Sequence, residues 1–265
     1  MTMEILARLC GFGGILLLML LWEYFRPLRA DHRRWARRRI NLGLVVLDTV
    51  ALRVGLPVMA TGVAIFAEER SIGVLHWLAL PLWLKFSIAL LVLDLAIYWQ
   101  HRLFHRFKPL WRLHAMHHSD LHMDTTTGLR FHPLEILLSM LIKMLVVLGL
   151  GAPLLAVVAF EVLLNATALF NHSNITLPDR LERLLRRVIV TPDMHRVHHS
   201  VRADEHHRNF SFNLSVWDRL FGSYRAQPAD GHSAMAIGLK QFRREQDQRV
   251  PALLLQPFRG DESPD

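Results

Sequence analysis

Three histidine boxes constrain what this chain can fold into, because the fold must bring them to one place. The first is His101 and His105. The second is His114, His117 and His118. The third is His195, His198 and His199, beginning 77 residues after His118. As patterns they read H-x3-H, H-x2-H-H and H-x2-H-H. On a helix, positions i, i+3 and i+4 share a face, so each box aims its imidazoles in one direction. Three such boxes can enclose a metal site. Of the 16 histidines, 13 fall between His101 and His207, and the total is roughly three times ordinary usage. A lone helical histidine is ordinarily a surface group or a satisfied core group. Eight at repeated ligand spacing point to metal instead.

The rest of the chain has the composition of a membrane protein with a basic polar part. Hydrophobic residues make up 52 % and the formal charge is +8. The cations cluster beside apolar segments, which fits anionic lipid headgroups better than nucleic acid. The single cysteine, Cys10, excludes a disulfide framework or a thiolate-based zinc or iron–sulfur site within one chain.

Residues 5–25 read as a retained transmembrane helix ending in Trp22, Tyr24 and Phe25, since no small-residue cleavage site follows. The run from Arg33 to Arg39 is cationic and, by the positive-inside rule, cytoplasmic. Apolar segments at 41–66, with Asp48 and Arg53, and at 74–99, with Asp94, read as second and third spans. The third leads straight into the first histidine box. Residues 134–171, broken at Gly149–Pro153, read as a hairpin of two helices. Lys143 in its first arm must snorkel or face protein. In the second arm Glu161 and Asn165 share a face with His172, at offsets of 4 and 11 from Glu161. An acid inside a membrane helix is a functional candidate, and His172 is a candidate ligand. Residues 178–191 read as a basic amphipathic helix on the membrane surface. The tail after Gln227 is polar, and its end is expected to be disordered.

The fold class is therefore an all-α integral membrane protein. About four membrane-embedded helical segments or hairpins carry a cytosolic helical cap that holds the boxes. All-imidazole ligation suits iron, zinc, copper or nickel. Eight to ten histidines exceed what one ion takes, so two metals are expected. The Glu-x-x-His pattern of soluble di-iron bundles is missing from the boxes.

Most of residues 94–224 resembles the fatty acid hydroxylase superfamily, which includes sterol desaturases and alkylglycerol monooxygenase. The resemblance rests on the three boxes, on Phe131-His132-Pro133-Leu134-Glu135, on His172, and on Trp217-Asp218-Arg219-Leu220-Phe221-Gly222-Ser223-Tyr224. It implies a single membrane-embedded oxygenase domain over 1–265, with transmembrane helices in 1–93 and a polar tail in 225–265. It implies two iron ions, which zinc can replace in purified protein, with O2 as co-substrate. The reaction implied is hydroxylation or desaturation of a lipid C–H bond. The electron donor would be a separate cytochrome b5, ferredoxin or rubredoxin type of protein. The ligands carried over are His101, His105, His114, His117, His118, His172, His195, His198 and His199, with His132 as a further one. They ligate, and no acid–base residue is implied beyond them. Asp94, two turns before His101, is expected behind the ligands, fixing a histidine tautomer; Glu161 and Asn165 are further candidates of that kind. Where relatives often carry Asn-Tyr-Gly, this chain has Asn209-Phe210-Ser211. His206 and His207, just upstream, read as a solvated loop. The Arg-rich, Lys-poor composition suits a bacterial inner membrane, with the boxes on the cytoplasmic face. The competing readings are a membrane metal-binding or transport protein without oxygenase activity, and a lipid-binding protein with a structural zinc.

Overall fold

The computed structural model describes residues 3–259, and their regular structure is helical. The long elements come first: α1 (Met3–Phe25), α2 (Arg34–Gly55), α3 (Ala60–Glu69), α4 (Val74–Trp77), α5 (Leu82–Arg106) and α6 (Lys108–His118). A 3-10 turn at Thr125–Leu129 leads to α7 (Pro133–Leu150) and α8 (Leu154–Asn171). Short helices complete the chain: α9 (Asp179–Leu185), α10 (Pro192–His198), α11 (Ala203–His206), α12 (Val216–Leu220), α13 (Gly231–Ala234) and α14 (Val250–Leu255).

Stretches within Arg34–Trp77, Leu82–Arg106, Pro133–Leu150 and Leu154–Asn171 are long and apolar enough to cross a membrane, and Cys10–Phe25 is a shorter apolar helix. In lipid a backbone must satisfy its own hydrogen bonds, which is why such sequences are helical. At 1.5 Å per residue, α7 and α8 each reach about 27 Å, close to the ~30 Å hydrocarbon thickness. Val46, Val50 and Val54 on α2, Leu145 on α7 and Leu155 on α8 stay exposed. They form the outward apolar belt that lipid covers in an integral membrane protein.

Two expected spans are broken, each at a proline. The run 41–66 is not one helix: α2 stops at Gly55, Leu56 is extended, and α3 begins only at Ala60. Pro57 pushes the residue ahead of it out of the helical region. Within 74–99, α4 ends at Trp77 and α5 starts at Leu82 behind an extended Pro81. The α7–α8 hairpin turns where expected. Gly151 ends α7 at φ 66, and a Cβ there would meet Ile72 O at 2.6 Å. Only glycine lets the α3–α4 link press on the hairpin tip.

Where α3, α5, α7 and α8 meet, Ala60, Ala64, Ala89 and Ala156 are buried, with Leu93, Val157 and Phe160 filling between them. Small residues let membrane helices approach closely and pack through dispersion.

The cationic run after α1 is only partly a surface. Arg33 and Arg39 are exposed, but Arg37 and Arg38 are buried. Arg37 pairs with Asp120 at 2.6 Å, with Asp31 at 3.1 Å and with Asp124; Arg38 pairs with Glu23 at 2.6 Å and Asp124 at 3.2 Å. This network ties the end of α1 and the start of α2 to the loop after the second histidine box. It replaces the reading in which the whole run faces headgroups.

The polar tail is folded over the bundle. Met235, Ile237, Leu239 and Leu253 are buried. Gln248 donates to Ser119 O at 3.0 Å and accepts from Arg130 at 2.8 Å. The expected disorder of the tail's end falls on 260–265, outside the described residues.

Candidate metal centre

The boxes sit at one end of the bundle, on elements whose local sequence fixes their direction. α5 carries His101 and His105 one turn apart at its last turns. Phe107 is extended and Pro109 lies in the first turn of α6, which redirects the chain so that His114, His117 and His118 return over α5. Thr191 caps α10 by accepting from Met194 N–H at 3.3 Å, and His195, His198 and His199 follow on and just beyond that helix. His172 ends α8.

Nine buried histidines form two groups. His101, His105, His114, His118 and His198 make one, and His117, His172, His195 and His199 the other; in each group the ring nitrogens lie within 4.8 Å of one another. The second and third boxes are divided crosswise. Positions i and i+4 of the second box (His114, His118) join the first group while its i+3 residue, His117, joins the second. The third box does the reverse: His195 and His199 join the second group and His198 the first.

Partners behind the rings set their tautomers. A backbone carbonyl only accepts, so a ring nitrogen bonded to one carries the proton. His101 Nδ1–H donates to Phe210 O at 2.7 Å, His117 to Arg130 O at 3.2 Å, His172 to Ala168 O at 2.7 Å and His198 to Arg208 O at 2.7 Å. His114 Nδ1 donates to the Glu135 carboxylate at 2.6 Å. All five rings therefore present an Nε2 lone pair inward. The Nε2 atoms of His101, His114, His118 and His198 are buried without a hydrogen-bond partner. Those of His172 lie 3.1 Å from His117 and 2.9 Å from His195. Buried lone pairs converging in this way fit a cation. Burial pushes His114 and His172 down to about 3, so both stay neutral near pH 7, the form that ligates. Nitrogen-only donors, with neither thiolate nor carboxylate, suit a divalent transition metal in each group.

The loop 208–223 is what aims two of these rings. Asp218 accepts from Phe210 N–H at 2.8 Å and Ser211 N–H at 3.1 Å. Asn209, at φ 53, donates to Met194 O and Arg225 O, both at 2.9 Å. Together they hold the Arg208 and Phe210 carbonyls against His198 and His101. Asp94 belongs to this support. It accepts from Trp217 Nε1 at 2.8 Å and Leu214 N–H at 3.2 Å. It steadies the loop and is not the histidine partner the sequence suggested.

His132 is also corrected. Its Nδ1 caps α7 by accepting from Leu134 N–H at 3.2 Å, so Nε2 carries the proton and donates to Leu254 O at 3.1 Å. With both nitrogens engaged it has no lone pair for a metal. His132→Ala should lose the cap, costing about 1 kcal/mol, and keep the full metal complement on elemental analysis. Glu161 and Asn165 are not tautomer-fixing partners of His172. They lie 11 and 7 residues before it on α8, about 16 and 10 Å along the axis. Glu161 pairs with Lys143 at 3.1 Å, and Asn165 donates to Glu161 O at 2.8 Å. His206 stacks on Trp111 with centroids 5.6 Å apart and is outside both nitrogen groups.

Glu135 is the residue that sequence reasoning missed. The signal was an acid three residues into an apolar helix, a placement that carries a cost unless it serves a partner. Replacing it with leucine frees the His114 tautomer. Glu135→Leu should weaken metal binding roughly 10–100-fold, read by competition with a calibrated chelator.

A cavity of about 330 Å³ lies between α5, α7 and α8 and reaches His101 and His114 at one end. That size is within the ~300–1,000 Å³ typical of ligand pockets. Phe104, Phe131, Met140 and Leu164 are among its walls. Gly128 lets the Thr125–Leu129 turn pack on His172, since a Cβ there would come within 3.0 Å of its Nδ1.

Comparison with known proteins gives the same neighbourhood. The family described as fatty acid hydroxylase matches residues 86–223 of the 265. Ornithine lipid hydroxylase OlsE of Rhizobium tropici is 29% identical over 157 residues, 59% of this chain and 46% of that protein. Alkylglycerol monooxygenase of Homo sapiens is 30% identical over 148 residues, 55% of this chain and 31% of that protein. The chain thus spans less than half the length of these curated relatives. No solved structure matches it.

Proposed function

Since this chain belongs to the fatty acid hydroxylase family, we propose that it is an integral membrane lipid hydroxylase, using O2 to oxidise a C–H bond of a lipid at a histidine-held di-iron site. The observation that carries this reading is the pair of adjoining nitrogen groups abutting an apolar cavity between membrane helices. In this reading His101, His105, His114, His118 and His198 hold one ion and His117, His172, His195 and His199 the other. Five imidazoles exceed the tetrahedral habit of structural zinc, and imidazole suits iron. Bound iron would supply the O2 chemistry and the electron transfer that no side chain here provides. The chain's own part is positional. Carbonyls and Glu135 hold the rings, burial keeps them neutral, and the apolar walls orient a chain and exclude water.

The substrate class proposed is a lipid with a polar head and a long chain; the two relatives' names give an ornithine lipid and an alkylglycerol for those proteins. Hydroxylation is favoured over desaturation on the same ground. Electrons would come from a separate cytochrome b5, ferredoxin or rubredoxin type of donor. Exposed Arg180, Arg183 and Arg187 precede the third box in sequence, and Arg33 and Arg39 are exposed beside the start of α2; they support a cytoplasmic placement by the positive-inside rule, and a bacterial inner membrane is the setting proposed.

The test is mass spectrometry of total lipids from cells expressing the intact chain or His199→Ala under heavy-isotope O2. A lipid carrying one heavy oxygen, formed only with the intact chain, is the expected result. Loss of two hydrogens without oxygen would redirect the reading to desaturation. An iron-loaded, reductant-supplied protein that changes no lipid would overturn it.

A further inference from the structure

The cavity beside the histidines has an end of unusual chemistry away from them. Its lining residues on α7 run from Glu135 to Lys143 and on α8 from Ala168 to Glu161. Lys143 and Glu161 are therefore the members of these two helices farthest from the histidines. Between the ends the walls include Ile97, Phe104, Ile136, Met140 and Leu164 together with the polar Asn165, and Gln100 donates to Ser139 at 2.8 Å while its Oε1 is buried without a partner. At the far end the ammonium and carboxylate meet at 3.1 Å, with side chains 12% and 9% exposed. Past them the bundle is filled: Val147 and Val157 are fully buried.

An ion pair inside a membrane bundle carries a desolvation cost, and an apolar chain pressed against it removes what polar surroundings remain. An alkyl chain would run along the apolar walls more readily than against the pair. We propose that Lys143–Glu161 is the end stop of an alkyl-chain slot, setting how far an unbranched chain extends past the histidines. This rests on the lipid-oxidising reading of the site and adds a specificity-determining pair to it. From Glu135 to Lys143 is eight residues, about 12 Å of helix, and an extended chain advances roughly 1.2 Å per bond, so the slot holds roughly ten carbons.

The test uses purified protein in lipid nanodiscs and heat stability in the presence of n-alkanols from hexanol to octadecanol, which needs no turnover. A ligand that binds the folded state raises the melting temperature, so each further methylene that enters the slot adds stabilisation. For the wild type, stabilisation should rise with chain length and level off near ten carbons. In K143A/E161A, which removes both charges and opens space, the plateau should move out by up to about four carbons, the reach of one further turn. K143E/E161K keeps an ion pair and should keep the wild-type plateau, which guards against reading a damaged fold as an effect. An identical plateau in wild type and K143A/E161A, or continued gain up to octadecanol in the wild type, overturns the end stop while leaving the lipid reading in place. Failure of every alkanol to stabilise the wild type overturns both.

Discussion

Replacing His172 with alanine should bring the metal content from two ions per chain towards one and lower lipid oxidation by more than ~100-fold, beyond the usual effect of removing a ligand's outer partner. His172 is one of only four nitrogens in the second group, whereas the first has five. Its Nε2 lies 3.1 Å from His117 Nε2 and 2.9 Å from His195 Nε2, so its loss opens that group between them. Its Nδ1 bond is to Ala168 O, within the last turn of its own helix. The helix and the first group should therefore survive. Metal analysis per chain, read beside the circular dichroism of the same sample, checks this. Two ions retained with unchanged turnover would remove His172 from the site. His132→Ala is the matched control, since that ring has both nitrogens engaged.

The contrast between these two histidines shows what was legible in the sequence. Spacing identified eight ligand candidates because i, i+3 and i+4 share a face whatever the tertiary fold. It did not divide them. Which ring of a box serves which group depends on how α6 and α10 cross α5, and no local pattern encodes that. Asp94 was misread for a measurable reason. A seven-residue offset does keep it on His101's face, but two turns are about 10.5 Å of rise, beyond a carboxylate's reach. Its partners, Leu214 and Trp217, lie 120 and 123 residues away in sequence. In Phe131-His132-Pro133-Leu134-Glu135, the histidine is the more conspicuous metal-binding residue type. The histidine caps the helix, and the acid behind it bonds His114. The apolar segments predicted the all-α membrane architecture, while the two interrupted spans were marked by Pro57 and Pro81, signals present in the sequence but outweighed by hydropathy.

Arg37→Met should be the most destabilising change away from the histidines, at roughly 3–5 kcal/mol, the usual cost of leaving buried charges without their partner. Arg37 is 9% exposed, and its guanidinium pairs with Asp31, Asp120 and Asp124 at once. Burial alone would raise the Asp120 carboxyl, and Arg37, Arg130 and the hydrogen bonds from Thr127 and Asn41 together more than reverse this. Without Arg37, Asp124 retains Arg38 at 3.2 Å, but Asp120 is left with neutral donors such as Thr127 Oγ1 and Asn41 Nδ2, while Arg130 is committed to Met116 O and Ser119. At about 2–4 °C per kcal/mol for a chain of this size, the melting temperature should fall by roughly 6–20 °C. Arg39→Met, two residues on and exposed, should stay within about 0.5 kcal/mol. The loop that Arg37 anchors also carries Arg130, whose carbonyl holds His117 Nδ1. A chelator should therefore strip metal from Arg37→Met more readily than from the wild type, well below the melting transition. Equal melting temperatures for the two arginine variants would mean that the cationic run acts as a surface after all. In that case its charges, and not its ion pairs, would be what the histidine end of the bundle requires.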